Sequence, residues 1–282
     1  MRRVLVPTDF SNNAYSALFY ATRFFQNEPC HFFILNTFDV NTPVLTSRID
    51  TSKGDALYRQ LSATSKDKLT ETLHCIVRDT EDFEHTFETI SVSKDLTETI
   101  NKTIQSKEID LVVMGTKGAS GLKEIFIGSN AVKAIQNIKQ SPILLVPDEL
   151  DFKPPRQIAF ATGFGRSYSK AELQPIITMA KMFKASIKVL HIHENELLNE
   201  EQEQNFKILR TLFEGVELSM HWLAKDNQKA EVIQMFLEEM NIDMLTMLRY
   251  PHSITESITH EPVVKKMGFR IDIPFLVIPV KS

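Results

Sequence analysis

Four apolar segments in the first half of this chain have counterparts, in the same order, in the second. RRVLVPTDF (2–10) is answered by RQIAFATGF (156–164), and CHFFILNTF (30–38) by ASIKVLHIH (185–193). EIDLVVMG (108–115) is answered by NIDMLTML (241–248), and SPILLVP (141–147) by IPFLVIP (273–279). Self-similarity at so long a period means that one supersecondary unit is used twice. The offset falls from 154 to 132 residues because the second copy lacks much of a polar insertion at 41–60. DELDFKPP (148–155), acidic and ending in two prolines, reads as the linker, so domains are expected over 1–147 and 156–282.

Within the first copy, short apolar runs alternate with helical patterns. Ser11 is placed to cap a helix that carries Ala14, Ala17, Leu18, Ala21, Phe24 and Phe25 on one face. A polar stretch at 41–60 precedes a second helix to about residue 76, then a strand near 87–93 and a helix over 95–107. The strand 109–115, a helix over 129–138 with Ser129 at its N-cap, and the strand 141–147 complete the copy. Strands apolar on both faces, alternating with helices, predict an α/β fold with a parallel sheet covered by helices. The many phenylalanines, among them Phe19, Phe24, Phe25, Phe32 and Phe33, lie at core spacing.

Net charge near −4 leaves no electrostatic footprint for nucleic acid or an anionic membrane surface. No apolar run approaches the ~20 residues of a membrane span. Met1-Arg2-Arg3 leads into a run that Pro7 and Asp9 end at once, so no signal peptide is read and a cytoplasmic protein is expected. Cys30 and Cys75 have neither disulfide-framework nor zinc-site spacing.

Four of the nine glycines fall in MGTKGASGLKEIFIGSN (114–130), spaced Gly115-x2-Gly118-x9-Gly128-Ser129 with Gly121 inside. This stretch leaves the carboxyl end of a buried parallel strand, the edge where open α/β sheets bind ligands. Gly115 and Gly118 allow close backbone approach. At Gly128 and Ser129 the next helix begins, and its free N–H groups and dipole favour phosphate, with Lys117 adding positive charge. It is neither the usual P-loop nor the dinucleotide G-x-G-x-x-G. The alternative is plain turn geometry with Ser129 as a cap. Asp9, ending the first strand in VPTDFS, is suited to ribose hydroxyls rather than phosphate; otherwise it serves the dipole of the following helix.

VPTDFS, IDLVVMGTKG with Gly128-Ser129, and SPILLVP together resemble the universal stress protein family, and the chain looks like a tandem member. The resemblance implies two Rossmann-like, adenine nucleotide α-hydrolase-like domains, each a five-stranded parallel sheet between helices. It implies ATP, ADP or AMP as ligand, with or without Mg²⁺, held by Pro7, Thr8, Asp9, Thr37, Met114, Gly115, Lys117, Gly118, Gly128, Ser129 and Asn130. Thr37 would offer its backbone to adenine. It also implies pairing through the last strands, 141–147 against 273–279, as an internal pseudo-dimer, with further homodimerisation open.

The second copy departs from that pattern. Gly163 stands for Asp9, and LRYPHSITESITHEPVV (248–264) contains no glycine. Pro251 and Glu261 fall near the places of Gly118 and Gly128, and a carboxylate there repels phosphate. The second domain is therefore expected not to bind ATP in the family's manner. His191 and His193 at one strand end, with His252 and His260 in a later loop, are the candidate metal ligands, against a reading as ordinary core and loop histidines.

No Mg²⁺-binding carboxylate pair can be placed, so binding is expected more than turnover. The resemblance admits slow ATP hydrolysis or autophosphorylation at Ser129. A different class of function is a nucleotide-independent scaffold whose partner surface lies on the second copy. A nucleotide-activating enzyme of the adenine α-hydrolase type carries an S-G-G-x-D-S loop, whose glycines PTDFSN lacks.

Overall fold

The inner strands of this chain are buried because helices cover both faces of the sheets they form. The computed structural model describes residues 1–39, 51–116, 127–148, 150–193, 197–224, 229–250 and 272–280. The first copy runs β1 (Arg2–Pro7), α1 (Asn12–Phe24), β2 (Cys30–Thr37), α2 (Thr51–Asp79), β3 (Thr86–Val92), α3 (Leu96–Lys107), β4 (Leu111–Gly115), α4 (Ser129–Asn137) and β5 (Ile143–Val146). The second runs β6 (Gln157–Ala161), α5 (Lys170–Phe183), β7 (Ser186–His193), α6 (Glu200–Leu212), β8 (Leu218–Ala224), α7 (Lys229–Glu239), β9 (Met244–Arg249) and β10 (Phe275–Pro279).

The chain divides into two compact units. The first begins at Met1 and includes Gly128–Ser141 and Val146–Phe152; the second includes Pro142–Leu145 and runs on from Lys153. In the first, the strand order is β3-β2-β1-β4, all parallel. In the second, the order β10-β9-β6-β7-β8 is parallel, and Ile143–Leu145 of β5 lies antiparallel to β10. Phe152, inside the expected linker, packs edge-on against Tyr20 at 5.3 Å and Phe24 at 6.2 Å, both on α1.

The repeat extends to single hydrogen bonds within each unit. Asp110 accepts from the Arg3 N–H, and its own N–H donates to the Arg3 carbonyl, tying the start of β4 to β1. Asp243 does the same for the Gln157 backbone on β6. At the other end of these strands, Thr8 and Thr162 each hold a turn. Thr8 Oγ1 accepts from the Phe10 N–H and Thr162 Oγ1 from the Phe164 N–H. Phe10 (φ 65°) and Phe164 (φ 55°) are both left-handed, a conformation that a bulky residue keeps only when its surroundings impose it.

Four local expectations need correction. The insertion at 41–60 is not wholly irregular: α2 begins at Thr51 and reaches Asp79, against thirteen residues in α6. β3 is not buried on both faces: all seven of its positions are half-exposed or exposed, because it is an edge strand with one neighbour. Ser129 is not the cap of α4; Gly128 occupies the N-cap and makes no side-chain cap bond. β4 ends at Gly115 as expected but begins at Leu111 rather than at 109. Ser11 does cap α1, accepting from the Ala14 N–H, and the apolar face read for that helix is buried.

Candidate functional site

In the first unit the strand order reverses direction at β1, with β2 on one side and β4 on the other. A cleft opens outside the carboxyl ends of such strands because the flanking helices leave in opposite directions. It measures 660 Å³, within the range of small-molecule sites. Pro7, Thr8, Asp9, Thr37, Met114, Gly115, Gly128, Ser129 and Asn130, all expected from the sequence, line it together. Lys117 and Gly118 lie outside the described residues.

Gly115 is where close approach is physically required. A Cβ there would stand 2.7 Å from Asn13 Cγ and 3.1 Å from the Asn13 carbonyl oxygen, and closer still to Oδ1. The missing side chain lets the first turn of α1 sit directly against the end of β4. Asn13 is itself buried and donates to Asp148 Oδ1 at 3.3 Å.

Gly128 has a different task from the one read from its spacing. Its N–H donates to the Thr116 carbonyl at 2.6 Å, closing the neck of the glycine segment, and Thr116 in turn donates to the Val146 carbonyl. The helix-start donors that remain are those of Ser129, Asn130 and Ala131, residues that line the cleft and whose N–H groups no side-chain cap occupies. Asp9 is exposed, and its Oδ1 accepts from the Ser11 N–H at 3.0 Å, so the carboxylate also braces the turn into α1.

Sequence reasoning missed the far wall. Asn36, Phe38, Asp39 and Ser93 to Leu96 line the cleft from the ends of β2 and β3. Asp95 caps α3 through Oδ1 to the Glu98 N–H. Asn36 is buried and donates to the Thr8 carbonyl at 2.8 Å; its Oδ1 accepts from Ser65 Oγ of α2, which lies 2.7 Å from Ser91 Oγ of β3. The usable signal was position alone: these residues follow apolar strands at the same sheet edge as Asp9.

The second unit builds the same edge from different chemistry. His191 takes the place of Asn36, with Nδ1 3.0 Å from the Thr162 carbonyl, which requires the proton on Nδ1. Trp222 pairs with His191 in the register where Ser91 pairs with Asn36. Phe164 stacks on His191 at 4.7 Å, and Phe206 and Trp222 close the cluster at 5.4 to 5.8 Å. Burial pushes the His191 pKa below the ordinary histidine value. His191 is thus a core histidine; His193 ends the same strand, and His252 and His260 lie outside the described residues. Among the described residues no group of His, Cys, Asp or Glu is arranged to hold a metal ion.

Leu248 stands on β9 where Gly115 stands on β4, and α5 starts one turn later in the repeat than α1. The residues between carry the edge instead. Tyr168 hydrogen-bonds Thr162 Oγ1, and the Arg166 guanidinium lies 4.2 Å over the Tyr250 ring. Gln202 and Asn205 of α6 donate to the Gly163 and Phe164 carbonyls.

An open parallel sheet in each of two units, with a cleft at the switch point of the first, defines a Rossmann-like α/β protein. The chain belongs to the universal stress protein family, whose model matches residues 1–147. A universal stress protein from Archaeoglobus fulgidus DSM 4304 is 18% identical, with 99% of this chain and 97% of that one covered and a TM-score of 0.68. The cytoplasmic domain of a prokaryotic cation chloride cotransporter is 11% identical, with 98% and 94% covered and a TM-score of 0.57. A universal stress protein in complex with cAMP is 17% identical over 52% of this chain and 98% of that one, with a TM-score of 0.36. No curated protein matches the chain. At these identities the whole-length likenesses describe the fold. No helix among the described residues is long and apolar enough to cross a membrane.

Proposed function

We propose that the first unit binds an adenine nucleotide, ATP, ADP or AMP with or without Mg²⁺, and that the protein is a cytoplasmic regulator in the stress response. The observation that carries this reading is the 660 Å³ cleft that gathers Asp9, Thr37, Gly115 and the start of α4 at one switch point. Ser129, Asn130 and Ala131 face phosphate with their backbone N–H groups, Asp9 faces the ribose, and the Thr37 backbone faces adenine. Lys117 and Gly118 complete the phosphate end. The domains run over 1–147 and 156–282, joined by 148–155, and pair through 141–147 and 273–279.

The second unit, with Leu248 at the place of Gly115, Gly163 at the place of Asp9 and an aromatic cluster beside the turn, serves as the partner half without a nucleotide. Isothermal titration with ATP tests the reading: one site per chain is expected, weakened by Ser129→Pro, which removes a helix-start donor while fitting the first helical position. No heat and no thermal shift at millimolar ATP would sink it. A scaffold that needs no nucleotide is the second reading; the engagement of Asp9 by its own helix start favours it.

A further inference from the structure

The edge strand of the first unit, β3, and that of the second, β8, differ in how they meet solvent. β3 carries Glu88, which pairs with Lys107 Nζ at 2.7 Å. β8, LSMHWLA, has no formally charged residue, proline or glycine in its seven positions, and among the described residues no strand pairs with its outer edge. Edge strands are ordinarily protected by charges, prolines or bulges, because free N–H and C=O groups recruit other strands. Trp222, the sole tryptophan, lies on this strand and is 45% exposed, although one side of its ring packs on Phe206 and His191.

We propose that β8 is a docking edge for a second copy of this chain, paired antiparallel about a two-fold axis through His221. A strand that meets its own copy meets its own charges, and β8 has none to repel. In this register Met220 lies opposite Trp222 of the second copy, twice over, so a thioether covers each exposed indole. Ser219 lies opposite Leu223, and Leu218 opposite Ala224. The interface is isologous and closed, as a soluble dimer requires. It does not depend on nucleotide binding.

Sedimentation velocity on the full chain tests the proposal, with weight-average mass expected to rise toward twice that of the chain between low micromolar and sub-millimolar concentration. Trp222 emission should shift to the blue over the same range. His221→Cys, on the axis and in a Cys75→Ser background, should form an intermolecular disulfide under mild oxidation. Leu218→Cys should not, because its two copies stand roughly 20 Å apart along the paired strands. Trp222→Lys and Met220→Lys should each leave a monomer, the second with the Trp222 stack intact. Absence of the dimer, absence of the His221→Cys cross-link, or survival of the dimer in both lysine variants overturns the proposal.

Discussion

At Gly115 a single methyl group does not fit. Gly115→Ala should destabilise the first unit by about 1–3 kcal/mol through overpacking against Asn13. Asn13→Ala in the same chain should recover part of that loss, measured as a double-mutant cycle in urea. The same substitution should weaken ATP binding if the nucleotide reading holds, since α1 and the end of β4 share the cleft. His191 makes a prediction of a different kind. Burial holds it neutral, so the folded state binds fewer protons than the unfolded one once pH falls below the ordinary histidine pKa of about 6.5. Stability should therefore fall with pH from there down to the depressed folded value. His85 and His221, also lowered by burial, add to the same slope. His191→Asn keeps a donor for the Thr162 carbonyl and removes one titrating group, so urea midpoints should depend less steeply on pH on the acid side.

Among elements, the strand-to-helix turns after β1 and β6 are where the two copies diverge. Both use a threonine and a left-handed phenylalanine, yet one turn is tied to a polar chain and the other to an aromatic cluster. Ser65→Ala removes the link between Asn36 and Ser91, leaving buried polar atoms short of a partner at a cost of about 1–3 kcal/mol. Chemical denaturation should show that loss, while substitution of the exposed Thr64 on the same helix should not. α1 and α5 also differ at this edge: glycine on β4 lets the first turn of α1 close in, and in the unit where β9 carries Leu248, α5 begins a turn later. The sequence placed the helices by their periodicity. It did not reveal the close approach of Asn13 to Gly115, which lie about a hundred positions apart.

For the whole molecule, the proposed function predicts one ATP per chain rather than two. Titration giving two equivalent sites would show that the second unit binds as well. The order of segments, their repetition and the parallel sheet were readable from the chain alone, because apolar runs and helical periods are local and are repeated. The gathering of Asp9, Thr37, Gly115 and Ser129 followed from the rule that strands of one sheet share a carboxyl edge. Tertiary structure alone decided that Gly128 spends its N–H on Thr116, that Asn36 is a buried cleft residue, and that His191 stacks on Phe164. Each depends on which distant group lies within hydrogen-bonding or ring-contact distance, and spacing along a chain carries no such information.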